Sequence, residues 1–348
     1  MSFIEKKEKR TYYKKNILKS AKGDTMANLI TCAFAFKEGY QTSRQLNRSA
    51  GSYTTEMYLK NLLVALSSAK INNPDDDVFL SVNIDIDPEW IKRFNGFNVK
   101  VRKMDFDSFV VPGEFQWALA FFKMCVLNTW VHEGNYDRYL ILDADTYTTH
   151  SYEDMWKEAD LGILLTPLGH TFSHPDRETV RKDFVRLCPD EAKSLPITHF
   201  GGEYICGNLD DLKEYMDLNL ELFEKIKATD FKVEDKIGDE SLWSIAASLL
   251  SKKIDIIAAT PYIFRFWTED FYLISTVTVS NPVCIWHLPS EKETGFIRMY
   301  DYLIKHRHFP EVETSAKMFG ILKAKRPFNK YTLANKIDGK LRKWKIKR

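Results

Sequence analysis

Short apolar runs alternate with segments in which apolar residues recur at helical spacing, and this order predicts an α/β fold. Strands are predicted over residues 29–36, 78–84 and 99–104, with a fourth ending in Asp143. Helices are predicted between them, over residues 53–70, 88–94 and 114–131. This succession is typical of a doubly wound, mostly parallel sheet flanked by helices. The chain has no glycine-rich dinucleotide fingerprint and no P-loop sequence, so we expect neither of those nucleotide sites.

The fourth strand leads into the candidate chemistry. Residues 139–142 are four consecutive apolar residues without polar alternation, which is typical of a strand buried on both faces. Asp143 and Asp145 follow at once, and a period of two places both carboxylates on one side of the chain. Ligands of open α/β sheets bind at this edge, and paired hard oxygen ligands suit Mg²⁺ or Mn²⁺. The alternative is a polar strand exit, because turns favour Asp.

Two other acidic pairs also end predicted strands. Asp87, which follows Asp85, precedes a proline and is expected to cap a short helix. Asp105 and Asp107 follow a more polar strand and precede a polar loop, where solvated turn residues are common. Only Asp105 is kept as a further candidate for a nucleotide contact.

The second half of the chain places chemistry beside predicted strands and helices. Gly201 and Gly202 precede a short predicted strand, where glycine lets the backbone approach a ligand, although a bulge or tight turn would also explain them. Asp239 and Glu240 open a predicted helix, either as an N-terminal cap or as acids directed into a cleft. His287 directly follows an apolar strand, which is the placement of the aspartate pair, so it is the histidine we select.

Three other histidines are weaker candidates. His170, His174 and His199 fall in a polar, proline-punctuated region, which we interpret as a loop or lid over the site. A lone loop histidine is usually solvated, so we do not expect these three to be ligands.

Composition sets limits on compartment and class. With 348 residues and 44% hydrophobic content, the chain is long enough to bury a core without disulfides. Its five cysteines are scattered without a CxxC pair, which indicates core packing in a reducing compartment. No stretch approaches the roughly 18 apolar residues of a membrane span, and the N-terminus is too charged for a signal peptide. We therefore expect a cytoplasmic protein.

Charge is concentrated at the two ends. Residues 1–27 alternate Lys and Glu and are interpreted as a solvated arm. Residues 321–348 form a basic tail, and from residue 323 onward it has eleven Lys or Arg against one acid, interleaved with aromatic and aliphatic residues. This pattern predicts an interfacial helix on an anionic membrane surface, at the inner face of a membrane. A solvated tail is the plain alternative, and although such a tail would attract nucleic acid, we do not expect that partner.

An apolar strand ending in Asp-Ala-Asp-Thr, a glycine-rich strand, an acidic helix start and a late strand ending in His resemble the GT-A glycosyltransferases. The nearest pattern is that of family 8, the glycogenin and lipopolysaccharide galactosyltransferase type. The resemblance covers about 29–298 and implies one GT-A (Rossmann-like) domain over 28–320. Its nucleotide-binding half would span 28–150 and its acceptor half 151–300.

The resemblance also implies the ligands. In that family the DxD pair and the late histidine bind Mn²⁺, which holds the diphosphate of a UDP-sugar. Carried over by motif, the metal ligands are Asp143, Asp145 and His287. We accordingly expect Mn²⁺ or Mg²⁺ as cofactor and a UDP-sugar as donor substrate.

Other site residues follow by motif. Lys123 matches the family's basic residue on the helix before the DxD strand. The late motif His-x-x-Gly-x-x-Lys-Pro-Trp is matched by His287 and Lys292, with the lysine one position early and the Gly and Pro-Trp absent. The nucleotide contacts are predicted to be Phe34, Ala35, Lys123, Ala144 and Lys292. The sugar or acceptor contacts are predicted to be Gly201, Gly202 and Trp243.

Asp239 and Glu240 are the predicted catalytic residues. They align with the family's Asp-Gln, and a carboxylate in place of the amide could deprotonate an acceptor hydroxyl, which leaves retention or inversion open. The expected activity is sugar transfer from a nucleotide diphosphate sugar to a saccharide or lipid-linked glycan. The alternatives are a nucleotidyltransferase using the same carboxylates, and a non-catalytic membrane or nucleic-acid binding module built around the tail.

Overall fold

A computed structural model of the chain describes residues 27–37, 40, 52–113, 115, 117–169, 174–229, 231, 238–268, 281–322, 330, 333 and 337. The predicted N-terminal arm lies outside these residues except for residue 27. The predicted membrane-binding tail lies outside them except for residues 321, 322, 330, 333 and 337. No helix within the described ranges is long and apolar enough to cross a membrane.

The main sheet has seven strands in the order β3-β2-β1-β4-β7-β6-β8. Its strands are β1 (Asn28–Phe34), β2 (Asp77–Val82), β3 (Lys100–Lys103), β4 (Arg138–Leu142), β6 (Gly162–Pro167), β7 (Phe200–Asn208) and β8 (Asp255–Ala258). Four of the six strand pairings are parallel, and only the two made by β7 are antiparallel. The predicted α/β class with a mostly parallel central sheet is confirmed.

A smaller sheet stands at the end of β4. Its strands are β5 (Thr146–Thr148), β9 (Ile263–Arg265) and β10 (Ile285–His287), with β10 in the middle. In the register of this sheet, His287 lies opposite Thr146 on one side and Arg265 on the other. The chain therefore passes from the main sheet through the Asp-Ala-Asp segment into the strand that pairs with the late histidine strand.

Helices cover both faces of the main sheet. They are α1 (Ser52–Asn72), α2 (Pro88–Asn95), α3 (Phe122–Glu133), α4 (Glu153–Ala159), α5 (Pro175–Leu187), α6 (Leu209–Ala228), α7 (Asp239–Leu250), α8 (Gly295–His306) and α9 (Val312–Met318). The expected cap of α2 is present, because the Asp87 side chain accepts a hydrogen bond from the Glu89 N–H and proline occupies the first turn.

Two sequence predictions about helices were wrong in detail. The region interpreted as a loop or lid contains α5, which begins at Pro175 with His174 as its N-cap. Proline at the first helical position is compatible with a helix, because an N–H group in the first turn would have no intrahelical acceptor and its absence costs no hydrogen bond. The single helix predicted over residues 114–131 is a 3₁₀ turn, Ala118–Phe121, followed by α3.

The core has two large clusters, one on each face of the main sheet. Along β4, Leu140 and Leu142 belong to one cluster, while Tyr139 and Ile141 belong to the other. All four side chains are at most 1% exposed, so the predicted burial on both faces is confirmed. Burying each such side chain contributes roughly 1.5–3 kcal/mol, which fixes the strand that ends at Asp143.

Candidate active site

Asp143, Asp145 and His287 form the centre of the candidate site. One ligand atom from each lies within 4.8 Å of the others. Asp143 follows β4 directly, Asp145 precedes β5, and His287 ends β10. The backbone joins these elements, because Leu288 donates its N–H to the Asp145 carbonyl at 2.9 Å. The structure thus brings together three side chains from a sequence span of more than 140 residues.

Lys123 places a buried ammonium beside Asp143. Its Nζ lies 2.5 Å from Asp143 Oδ1 and 3.9 Å from Asp239 Oδ2, and it also donates to the Gly202 carbonyl. Burial disfavours the charged form, but the carboxylates of Asp143 and Asp239 outweigh it and raise the pKa of Lys123. Lys123 therefore stays cationic at neutral pH.

Asp145 is only 2% exposed and is held by two partners. Lys292 Nζ contacts its carboxylate, and His287 Nε2 lies 3.4 Å from Oδ2. Burial alone would raise the pKa of Asp145, but the adjacent Lys292 and His287 lower it well below its usual range. Lys292 reaches this place from the 3₁₀ turn Pro289–Glu291 that follows β10.

Asp239 and Glu240 occupy the first turn of α7 without capping it. The N-cap is Gly238, which makes no side-chain cap. Burial, reinforced by repulsion from Glu240 and Asp143, raises the pKa of Asp239 to about 6 despite the attraction of Lys123. Both carboxylates line the cavity, which favours the interpretation of acids directed into a cleft.

Glu240 has a different set of partners. His199 Nε2 lies 3.1 Å from its Oε2, and the Gly202 N–H donates to Oε1 at 3.2 Å. The side chain remains 36% exposed. Burial opposes ionisation, but His199 and Arg265 outweigh it and lower the pKa of Glu240, so the group is a carboxylate at neutral pH.

The glycines make room for charged side chains. A Cβ on Gly202 would lie 2.7 Å from Asp239 Oδ2 and 3.4 Å from Lys123 Nζ. A Cβ on Gly201 would lie 2.7 Å from Arg265 Nη2. Any side chain at these positions would therefore displace the groups that form the site.

One cavity of about 630 Å³ contains most of the predicted residues. The predicted residues on its wall are Phe34, Ala35, Lys123, Asp143, Ala144, Asp145, Gly202, Asp239, Glu240, His287 and Lys292. Gly201 is not on the wall. Trp243 is fully buried and stacks on Tyr215 at 5.7 Å. Its Nε1 donates a hydrogen bond to Asp239 at 3.4 Å, which is its link to the site among the described contacts. The structure thus places Trp243 behind Asp239. Asp105 is exposed and is not on the cavity wall either.

Sequence reasoning missed three polar residues. Glu203 and Arg265 were not considered, and His199 was weighed only as a loop histidine. Arg265 lies on the cavity wall and pairs with Glu203 at 2.5 Å. Burial would raise the pKa of Glu203, but Arg265 and His287 outweigh it and lower the pKa to about 2. The available signal was Glu203 itself, the only charged residue in β7.

Comparison with known proteins gives a limited result. No protein-family model matches the chain, and no curated protein matches it. One similar solved structure is an active-site mutant of LgtC, with 15% identity over 74% of this chain and 86% of that chain and a TM-score of 0.45. Another is the apo form of mouse xyloside xylosyltransferase 1, with 13% identity over 75% of this chain and 97% of that chain and a TM-score of 0.46. Both likenesses are modest, and the case for a function comes from the geometry of the site.

Proposed function

We propose that the chain is a metal-dependent glycosyltransferase that moves a sugar from a nucleotide diphosphate sugar, with UDP as the nucleotide, to a saccharide hydroxyl. One observation carries the proposal. Ligand atoms of Asp143, Asp145 and His287 lie within 4.8 Å of one another, on the wall of a 630 Å³ cavity. Cavities of about 300–1,000 Å³ accommodate small-molecule substrates.

The residues present fit a divalent cation. Two carboxylates and one imidazole supply oxygen and nitrogen ligands of the kind that Mn²⁺ or Mg²⁺ accepts in nucleotide enzymes. When bound, the ion would supply positive charge to a departing diphosphate. Asp143, Asp145 and His287 would hold it, and His287 would bind through Nε2, the nitrogen that faces Asp145.

Lys123 and Lys292 are proposed to bind the same diphosphate. Each contacts one carboxylate of the metal-ligand set, so both ammonium groups lie where phosphate oxygens would gather. Their burial strengthens the attraction, because charges separated from water interact more strongly than solvated ones. Phe34, Ala35 and Ala144 on the same wall are proposed to pack against the nucleotide.

Glu240 is proposed as the base for the acceptor hydroxyl. Its carboxylate is partly exposed, and the His199 imidazole and the Gly202 N–H fix its orientation. Its lowered pKa keeps it unprotonated and able to accept a proton. Asp239 is proposed to contact sugar hydroxyls beside Lys123. A base at this place would favour inversion, although the stereochemistry is left open.

A panel of UDP-sugars, with and without Mn²⁺, tests the proposal by thermal shift and by product release. A donor present at a concentration of 100 times its Kd raises the free energy of unfolding by about 2.7 kcal/mol, so a metal-dependent rise in Tm is expected. Addition of saccharide acceptors should then release UDP. Release of pyrophosphate from a nucleoside triphosphate would instead identify a nucleotidyltransferase. Absence of any nucleotide-dependent stabilisation in Mn²⁺ would contradict the proposal.

The basic tail is proposed to hold the enzyme at an anionic membrane, where a lipid-linked glycan would be the acceptor. The support is the sequence after residue 323, with its cations and interleaved apolar residues. Co-sedimentation with phosphatidylserine vesicles should be lost in high salt and in a chain truncated after Lys323. Equal binding of the truncated chain would contradict this part of the proposal.

A further inference from the structure

Glu203 is a buried carboxylate at the centre of the site that the proposed chemistry does not use. It is the only charged residue of β7, and its side chain is 0% exposed. Its carbonyl accepts a hydrogen bond from the Asp143 N–H at 3.1 Å, so it sits directly beside the metal-ligand set. A carboxylate removed from water in this way is costly unless it has specific partners.

One partner of Glu203 is Arg265. Two guanidinium nitrogens donate to the two carboxylate oxygens, Nη2 to Oε2 at 2.5 Å and Nε to Oε1 at 3.2 Å. Such a bidentate pair fixes the plane of the carboxylate. Arg265 ends β9, and its register partner in β10 is His287. The small sheet therefore sets the guanidinium and the imidazole side by side.

His287 has its two ring nitrogens in different environments. Nε2 faces Asp145 at 3.4 Å, on the side of the metal-ligand set. Nδ1 is buried and makes no hydrogen bond of normal length to any described residue. The carboxylate closest to it in the described structure is Glu203, whose Oε1 lies 3.6 Å away. This distance is long for a hydrogen bond and closes with a shift of about half an ångström.

We infer that Glu203 is a positioning residue for the metal site: its carboxylate accepts a hydrogen bond from the Nδ1–H of His287 and thereby directs Nε2 to the cation, while Arg265 holds the carboxylate in place. The inference rests on the proposed function, because it concerns the same metal. Histidine ligands of metals generally donate their second nitrogen to a carboxylate, a carbonyl or water, and this partner fixes the tautomer and the ring orientation.

A structural role for the Glu203–Arg265 pair is the alternative. Buried ion pairs often add little net stability, because desolvation of both charges offsets their attraction. A pair needed only for packing would affect Mn²⁺ binding regardless of whether residue 287 is histidine. A pair that acts through the imidazole would affect Mn²⁺ binding only when the imidazole is present.

A double-mutant cycle on Mn²⁺ affinity separates the two roles. Free Mn²⁺ is titrated by electron paramagnetic resonance in wild type, Glu203→Gln, His287→Ala and the double variant. Outer-shell partners typically change metal affinity about 10–100-fold. We expect about a tenfold weakening for Glu203→Gln, at the low end because the amide oxygen still accepts a hydrogen bond, and no further weakening in the His287→Ala background.

Two controls keep the cycle interpretable. Asp76→Asn alters another buried carboxylate, which accepts from Trp156 Nε1 at 2.8 Å and is not on the cavity wall, so its Mn²⁺ affinity should match wild type. If Glu203→Gln fails to fold, Glu203→Gln with Arg265→Gln removes the pair without leaving a lone buried charge. That variant should show the same weakening of Mn²⁺ binding.

Two results would overturn the inference while leaving the proposed function intact. One is an unchanged Mn²⁺ affinity in Glu203→Gln, and the other is an equal loss in the presence and absence of the His287 imidazole. Wild type that binds no Mn²⁺, with or without UDP, would overturn the proposed function and the inference together.

Discussion

The two ends of the cavity use the same residue types in different electrostatic arrangements. At the metal end, Asp143 contacts Lys123 and Asp145 contacts Lys292. Each aspartate therefore has an ammonium group of its own, and the neighbouring His287 adds a further partner to Asp145. Burial opposes the charged form of Asp145, but Lys292 and His287 outweigh it and lower its pKa well below the usual range.

At the acidic end, formed by Asp239 and Glu240, the partners are weaker and shared. Lys123 lies 3.9 Å from Asp239 but 2.5 Å from Asp143, so its charge serves mainly the metal end. Burial raises the pKa of Asp239 to about 6, because the attraction of Lys123 does not offset it and repulsion from Glu240 and Asp143 adds to it. Glu240 pairs with the imidazole of His199, which carries a charge only when protonated.

This difference in charge partners favours different roles for the two ends of the cavity. Under the proposed function, the fixed charges of the metal end would hold a cation and a diphosphate, whereas at the acidic end the Glu240 side chain, which is 36% exposed, remains accessible to hydroxyl groups. Substitutions at the metal end should therefore weaken ligand binding and turnover together. Substitutions at the acidic end should lower turnover while nucleotide binding persists.

The largest effect is expected for Asp145→Asn. Loss of one ligand charge should reduce sugar transfer at least about 10³-fold, since a catalytic metal supplies several kcal/mol of charge stabilisation. Titration with Mn²⁺ measures the loss of metal affinity, and kcat/KM for the donor measures the loss of sugar transfer. The matched control is Asp76→Asn, which should keep both values. A variant with normal Mn²⁺ affinity would mean that Asp145 is not a ligand.

Glu240→Gln tests the acidic end. Transfer to an acceptor should fall about 100-fold or more, because general bases contribute roughly 10²–10⁴-fold. UDP affinity in Mn²⁺, measured by calorimetry, should change little, since Glu240 does not contact Lys123 or Lys292 in the described hydrogen bonds and ion pairs. Full turnover of this variant would exclude the base role.

The raised pKa of Asp239 predicts a pH-dependent difference in stability. An acid whose folded pKa lies above its unfolded value destabilises the fold increasingly as pH rises from about 3.8 to about 6. Asp239→Asn should therefore gain stability relative to wild type across that window, by up to about 3 kcal/mol. Urea unfolding at pH 4 and pH 7 in chelator measures it. A constant difference between the two pH values would contradict the raised pKa.

Gly202→Ala should give the smallest effect. The added Cβ would lie 2.7 Å from Asp239 Oδ2, so the carboxylate must shift from its place beside Lys123 and Gly202. We expect roughly a tenfold loss of transfer and a lower free energy of unfolding, by about 1–3 kcal/mol, as in other overpacked sites. In Gly238→Ala, the new Cβ meets no described atom closer than 4.0 Å. Equal effects of the two substitutions would show that close packing at Gly202 is unimportant.

Local patterns predicted where Asp143, Asp145 and His287 lie in the fold. The run over residues 139–142 predicts burial on both faces, and its side chains do alternate between the two core clusters. A strand so constrained fixes where Asp143 and Asp145 emerge. His287 followed from the same reasoning, an apolar strand that ends abruptly in a polar side chain.

Long-range pairing could not be predicted in the same way. Glu203 and Arg265 are 62 residues apart, and only the register of β9 and β10 with the rest of the site brings them together. The polar, proline-punctuated region predicts a loop or lid, whereas Pro175 follows the N-cap His174 and begins α5. Trp243 is predicted as a sugar or acceptor contact, but its ring is fully buried and stacks on Tyr215.

Anomalous diffraction at the manganese edge from crystals grown with Mn²⁺ and UDP tests the central claim most directly. We predict a single strong peak bonded to Asp143, Asp145 and the Nε2 atom of His287, with UDP in the adjoining cavity. A peak elsewhere, or UDP bound in the cavity without a metal at these three side chains, would contradict the account.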